Sequence, residues 1–347
     1  MTDPAGEPAP RRYSSRSGIV GLLLIPAILF LLSACVRPPG DPETLRAALV
    51  APRNALAGIP KLPGLGLEGD EPLGRGAPEP VRTSVRFASK DGDLFSGSPT
   101  IIEAALYRPV GAGPFPVVVA LHDCLGLYGP TGAMSSHMRD WAERLAAQGY
   151  AVVMPDSFNP RGVPEICDRD PQFIRPGVER ARDAEAALDW VQAQPWADGE
   201  RVGLIGWANG GTTALTFATS DGSLHRRFGQ PDFRLIVAFY PNCATLTQAP
   251  GWRSDLRLAV LTGNDDDWAP AAACVSLAKQ IENGGGSLDL VKYYGAKHDF
   301  DAPGMPVHLK AGLTTTKSGG AVIGTNPQAR ADAVERVTRL LSSVLHP

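Results

Sequence analysis

The stretch Arg201-Val202-Gly203-Leu204-Ile205-Gly206-Trp207-Ala208-Asn209-Gly210-Gly211 decides the fold. Its first half is apolar and nearly continuous, as a strand covered on both faces must be. Glycines then flank a tight turn, and a helical stretch follows. Strand, strained turn and helix in that order make the frame of a nucleophile elbow, G-x-S-x-G. The central position requires Ser or Cys, and here it is Ala208. A methyl group cannot attack a carbonyl, so the frame stands without its nucleophile.

Working outward, short apolar runs alternate with helical periodicity. Expected strands cover 116–121, 151–155, 202–206, 235–240, 256–262 and 288–294, with helices over 138–147, 177–194, 210–219, 271–283 and 329–345. The helix from Gly177 carries Val178, Ala181, Ala184, Ala187, Leu188 and Val191 at helical spacing. Before them, 81–89 and 101–108 alternate apolar and polar residues about a Gly/Asp turn, as a hairpin does. Strand–helix alternation implies a mainly parallel central sheet with helices on both faces, the α/β class.

Two further segments fall at expected strand ends, where ligands bind in open α/β sheets. Leu261-Thr262-Gly263-Asn264-Asp265-Asp266-Asp267-Trp268-Ala269-Pro270 offers an acid three residues after a Gly, namely Asp266, with Asp267 as the alternative. Lys297-His298-Asp299-Phe300 offers a base, His298. The remaining histidines have weaker contexts. Positions 208, 266 and 298 follow the order elbow, acid, base of hydrolases built on this frame. The acid would hold the histidine tautomer and stabilise the imidazolium. Tyr128, Phe158, Trp207 and Trp268 are expected to line the mouth of the site, and 301–326 forms a Gly/Thr-rich insertion that could cover it.

With these segments, residues 81–347 resemble the dienelactone hydrolase family of the α/β-hydrolase superfamily. The resemblance rests on Leu121-His122-Asp123-Cys124-Leu125-Gly126-Leu127-Tyr128-Gly129, on 206–211, on 263–270 and on 297–300. It implies that Ala208 stands at the nucleophile position, Asp266 at the acid and His298 at the base. The backbone N–H groups of Cys124 and Asn209 would form the oxyanion hole, which does not depend on side chains. It implies a small-molecule ester or lactone as ligand and no cofactor. Asp123 stands where the family's usual Gly follows the His, a carboxylate beside a site of developing negative charge.

Ala208 leaves three readings open. The chain is a ligand-binding descendant without turnover; it hydrolyses by another route, through water activated by Asp266–His298 or through Cys124; or Ala208 is an isolated change in an otherwise intact enzyme. Cys124 is excluded as nucleophile if it is oxidised, for example with Cys167. The second pair would then be Cys243–Cys274, since both follow adjacent strand ends. An envelope-surface adhesion or scaffolding module is a reading from a different class. A metal enzyme using Asp265, Asp266, Asp267, His298 and Asp299 finds no helical i, i+4 ligand pair, and no metal is expected.

The bulk numbers fit a globular domain behind a leader. Of 347 residues, 44% are hydrophobic and 20% charged, with 33 basic against 36 acidic residues, and no basic stripe points to nucleic acid. Arg11, Arg12 and Arg16 precede an apolar run over 19–32, too short for the ~20 residues of a membrane span. The run ends in Leu32-Ser33-Ala34-Cys35, which resembles a bacterial lipoprotein signal. This predicts a signal peptide over 1–34, a lipid on Cys35 holding the protein to a membrane, a Pro/Gly-rich tether over 35–80 and a location in the cell envelope, at the periplasmic face or outer membrane. An ordinary signal peptide or an uncleaved anchor is the alternative. Four further cysteines, an even number, suit two disulfides in an oxidising compartment, with free thiols as the alternative. The oligomeric state is not readable from the sequence.

Overall fold

The computed structural model describes residues 79–94, 97–169, 173–220 and 231–346. The expected signal peptide, Cys35 and nearly all of the tether lie outside the described residues. Eight strands form one sheet: β1 (Val81–Ala88), β2 (Ile101–Arg108), β3 (Phe115–Leu121), β4 (Ala151–Asp156), β5 (Ala197–Trp207), β6 (Leu235–Phe239), β7 (Arg257–Gly263) and β8 (Leu288–Tyr293). Their spatial order is β1-β2-β4-β3-β5-β6-β7-β8. The first two strands pair antiparallel, as does β2 with β4, and every pairing from β4 to β8 is parallel.

Parity along β3 shows how the sheet divides its core. Val117, Val119 and Leu121 face one apolar layer, while Val118 and Ala120 face the other. A period of two puts neighbours on opposite faces, and both faces are covered, so the strand reads as unbroken apolar sequence. Helices α2 (Ala181–Gln192), α3 (Asn209–Thr216) and α4 (Ala271–Asn283) cover the first face through Leu188, Leu215 and Leu277. Helices α1 (Ser136–Ala147) and α5 (Pro327–Leu345) cover the second through Trp141, Leu145, Val337 and Leu341. A single π turn, Pro176–Arg180, leads into α2.

The insertion after β8 is ordered as a hairpin, β9 (His308–Ala311) and β10 (Gly320–Ile323), outside the main sheet. It is tied to the loops beneath it. The Trp268 indole donates to Thr315 Oγ1 at 3.0 Å, the Val322 N–H to Asp267 at 3.0 Å, and the Gly324 N–H to the His298 carbonyl at 3.0 Å. It is therefore a fixed roof. Two disulfides join Cys124 to Cys167 and Cys243 to Cys274, with Cα atoms 5.1 and 5.0 Å apart.

Candidate active site

The elbow is built at the C-terminal end of β5, and its glycines are there for want of space. A Cβ on Gly206 would lie 2.1 Å from the Gly210 carbonyl oxygen, and one on Gly210 would lie 2.2 Å from that of Leu121. Neither oxygen belongs to a movable side chain. Ala208 sits between them at φ 47°, ψ −110°, a region that L residues rarely adopt. Its N–H donates to the Phe239 carbonyl at 3.0 Å, and its carbonyl accepts from Thr212 N–H at 2.9 Å as α3 begins. A backbone of this kind costs of order 1–3 kcal/mol and persists where its surroundings enforce it. The elbow is thus intact in every respect but one side-chain atom.

Beside it stands the base. His298 Nδ1–H donates to Asp266 Oδ2 at 2.8 Å, a tautomer assigned from its partner. The other oxygen of Asp266 accepts the N–H groups of Trp268 at 2.9 Å and Ala269 at 2.8 Å, which locks the carboxylate against the ring. Asp265 and Asp267 are exposed, so among the three consecutive aspartates the pairing falls to Asp266. His298 Nε2 is buried and has no hydrogen-bond partner. It faces a small cavity of about 150 Å³ lined by Ala208, Asn209, Cys124, Tyr240, Trp268 and Thr315, among others. Burial alone would lower the His298 pKa. The charge and hydrogen bond of Asp266, with Asp299 and Asp123 behind it, outweigh that and push it up to about 9. A more open groove of about 460 Å³, along Val178, Arg182, Phe217 and Gln248, holds no histidine and lies apart from this chemistry.

Cys124 and Asn209, the two expected oxyanion-hole residues, line the same cavity as Ala208 and His298. Their segments are fastened by Arg180, a fully buried side chain. Its Nη1 donates to Asn209 Oδ1 at 2.5 Å and its Nη2 to the His122 carbonyl at 2.7 Å, with the guanidinium over the Phe158 ring at 5.1 Å. Burial holds Arg180 down at about 10. His122 is fully buried: Nδ1–H donates to the Asp123 carbonyl at 2.7 Å, and Nε2 accepts the Ser157 N–H at 3.3 Å. Burial and then Arg180 keep it neutral, with a pKa well below the ordinary histidine value. The Cys124 sulfur is bonded to Cys167, so Cys124 has no thiol with which to attack.

Of the four aromatic residues expected at the mouth, only Trp268 lines the cavity. Trp207 and Phe158 are fully buried, and Tyr128, beside the isolated bridge to Met134, packs against the core layer on the second face of the sheet. Trp207 ends β5 with its ring in the layer shared with Trp141 and Phe239. The cavity uses Tyr240 instead, a residue at φ 34° that follows β6 and packs with its ring centroid 4.4 Å from that of His298, the planes tilted by 53°.

Sequence reasoning also missed a second polar centre directly behind the dyad. Asp301 is fully buried and accepts four side-chain donors: His137 Nε2–H at 2.8 Å, Trp141 at 2.8 Å, Trp207 at 2.9 Å and the Tyr240 hydroxyl at 2.7 Å. Burial opposes its ionisation, but these partners, His137 first, hold it down at about 2. Asp123, Asp299 and His137 adjoin it, with ligand-capable atoms all within 4.8 Å of one another. The Asp123 carboxylate accepts the Leu125 N–H at 2.7 Å. Burial and the charge of Asp299 push its pKa up to about 6. Two unit charges at this separation repel by about 3–4 kcal/mol at an effective dielectric of ~20.

A model of the dienelactone hydrolase family matches residues 102–345. A Synechocystis sp. protein provisionally named carboxymethylenebutenolidase is 30% identical over 218 residues, covering 57% of this chain and 81% of its own. A protein of the same name from Methylorubrum extorquens is 24% identical over 250 residues, covering 66% and 80%. Among solved structures, a dienelactone hydrolase-like promiscuous phosphotriesterase from metagenomic libraries superposes with a TM-score of 0.54 at 23% identity, over 78% of this chain and 99% of that one.

Proposed function

The chain belongs to the dienelactone hydrolase family, and on that premise we propose that its cavity recognises a small carboxylic ester or lactone, which it hydrolyses slowly with water in place of the missing nucleophile. One observation carries this reading: the buried His298 Nε2 has no protein partner, and His298 lines one cavity with Ala208, Cys124 and Asn209. In a complete triad that nitrogen takes a proton from the nucleophile. With a methyl opposite, the proton must come from a water in the space an Oγ would fill. Backbone oxyanion donors need no side chain, so stabilisation of the tetrahedral oxyanion survives. The cavity is below the ~300 Å³ at which drug-sized pockets begin, which favours a short acyl group or a compact lactone ring. The relatives named carboxymethylenebutenolidase support the lactone side of this reading.

The decisive comparison is the full chain against Ala208→Ser and His298→Ala, with p-nitrophenyl acetate as substrate. Loss of the triad nucleophile costs roughly 10⁶ in kcat, and the oxyanion hole with binding retains about 10³–10⁴ over water. The parent should exceed that residual and fall back to it in His298→Ala, while Ala208→Ser should gain several orders of magnitude. A folded Ala208→Ser that stays silent would remove the ester reading. A silent parent with an active Ala208→Ser would leave a binding protein without turnover.

The same proposal places the domain at the cell envelope, tethered through a lipid on Cys35. The support is the sequence Leu32-Ser33-Ala34-Cys35 after an apolar run. Labelled palmitate should enter the parent and not Cys35→Ser, and the variant should leave the membrane fraction.

A further inference from the structure

We propose that Asp123, His137 and Asp299 bind one divalent transition-metal cation of the Zn²⁺ class behind the wall of the ester cavity. The three come from separate places: the loop after β3, the start of α1 and the loop after β8. Each offers one ligand atom, all three groups are buried, and the atoms lie within 4.8 Å of one another. Bonds of about 2.1 Å to a tetrahedral ion put ligands about 3.4 Å apart, so a pair at the 4.8 Å limit closes on an ion by about 1.4 Å.

The side chains are prepared for a cation in three ways. Asp299 is 2% exposed, yet its Oδ1 receives no hydrogen bond from any donor. A buried carboxylate oxygen left unpaired is costly unless a positive partner meets it. His137 gives its Nε2–H to Asp301, which leaves the Nδ1 lone pair for a metal. A carboxylate behind a ligating histidine is the usual way to fix ring orientation and tautomer. Here that carboxylate is itself fixed by Trp141, Trp207 and Tyr240. Finally, Asp123 has one oxygen on the Leu125 N–H, which holds the side chain and leaves the other oxygen available.

Charge points the same way. Asp123, Asp299 and Asp301 crowd around one imidazole, and among the described residues neither Asp123 nor Asp299 forms a salt bridge with a Lys or Arg. A dication would neutralise the excess. One nitrogen with two carboxylate oxygens selects a borderline ion over Mg²⁺ or Ca²⁺, which prefer all-oxygen sets. Only Asp299 is shared with the metal reading of the sequence, and the exposed Asp265 and Asp267 take no part. The site stands whether or not the cavity hydrolyses esters.

The test is titration of the chelator-stripped full chain with Zn²⁺, followed by calorimetry, and separately with Mg²⁺. One equivalent of Zn²⁺ should bind, with Mg²⁺ far weaker. Asp299→Asn, Asp123→Asn and His137→Gln should each weaken binding at least tenfold, and Asp301→Asn, acting through His137, by 10–100-fold. Asp265→Asn and Asp267→Asn should bind as the parent does. Co²⁺ added to the unaltered protein should give the intensified visible absorption of a nitrogen- and oxygen-ligated low-symmetry ion, which needs no variant to fold. Absence of stoichiometric Zn²⁺ and of the Co²⁺ signature would overturn the site. Binding undiminished in folded Asp299→Asn and Asp123→Asn would overturn it equally.

Discussion

Two histidines in this molecule each meet a buried aspartate at 2.8 Å, and they do different things. His298 leans on Asp266 and turns Nε2 to a cavity. His137 leans on Asp301 through Nε2 and lies beside two further carboxylates, Asp123 and Asp299. Asp266 is held by backbone N–H groups of its own loop, so it can serve one ring and little else. Asp301 is held by side chains from α1, β5 and the turn after β6, so it braces the domain from within. A His–Asp pair is therefore no mark of catalysis by itself. What the ring's other nitrogen faces decides its role.

The largest expected break in this comparison comes from Ala208→Ser. It should raise the esterase rate by roughly 10⁶ if the front pair is a complete base, since that is the order of the loss when a triad serine is removed. In that background Asp266→Asn should cost about 10⁴ in kcat by releasing the tautomer, measured by steady-state kinetics. Next comes stability. Asp301→Asn leaves four buried donors poorly matched and should destabilise by about 3–5 kcal/mol, read by urea denaturation. Asp266→Asn should cost no more than about 1–2 kcal/mol, as one oxygen can still accept its two N–H groups. Equal losses would erase the distinction between a brace and a clamp.

Acid and alkali should separate the pairs more gently, with chelator present throughout. Asp301 is depressed from 3.8 to about 2, so its contribution is present above pH 3.8 and is lost as pH falls through about 2. His298 is raised from 6.5 to about 9, so its contribution is complete below pH 6.5 and is lost as pH rises through about 9. Below about pH 9 the ring is an imidazolium and cannot accept a proton, so slow hydrolysis by the parent should climb through that value. A melting profile whose acid limb survives in Asp301→Asn would refute the first assignment. A parent rate independent of pH between 7 and about 10 would refute the second. The smallest effect belongs to Asp267→Asn, an exposed acceptor for the Val322 N–H, which should shift stability by about 0.5 kcal/mol or less.

The sheet could be read from sequence because β3 to β7 are buried on both faces and so carry unbroken apolar runs. The elbow could be read because glycine is the sole residue that fits at 206 and 210. Spacing from Gly263 puts Asp266 first with Asp267 as the alternative, and the fold separates the two, since the N–H groups of Trp268 and Ala269 and the His298 ring all meet Asp266. Trp207, next to the elbow in sequence, does not line the cavity. The parity of β5 instead sends its ring to the layer with Trp141. Asp301 left no signal at all: its partners His137 and Trp141 lie 164 and 160 positions away, and no local spacing encodes such a meeting.

The roof over the cavity has a mechanical consequence. Its strands grip the loop that carries the acid, through Asp267 and Trp268, and the loop that carries the base, through the His298 carbonyl. Lifting it to admit a ligand would pull acid and base out of register in the same stroke. An entry that left the pair undisturbed would pass by the exposed Asn242 and Thr245, which also line the cavity.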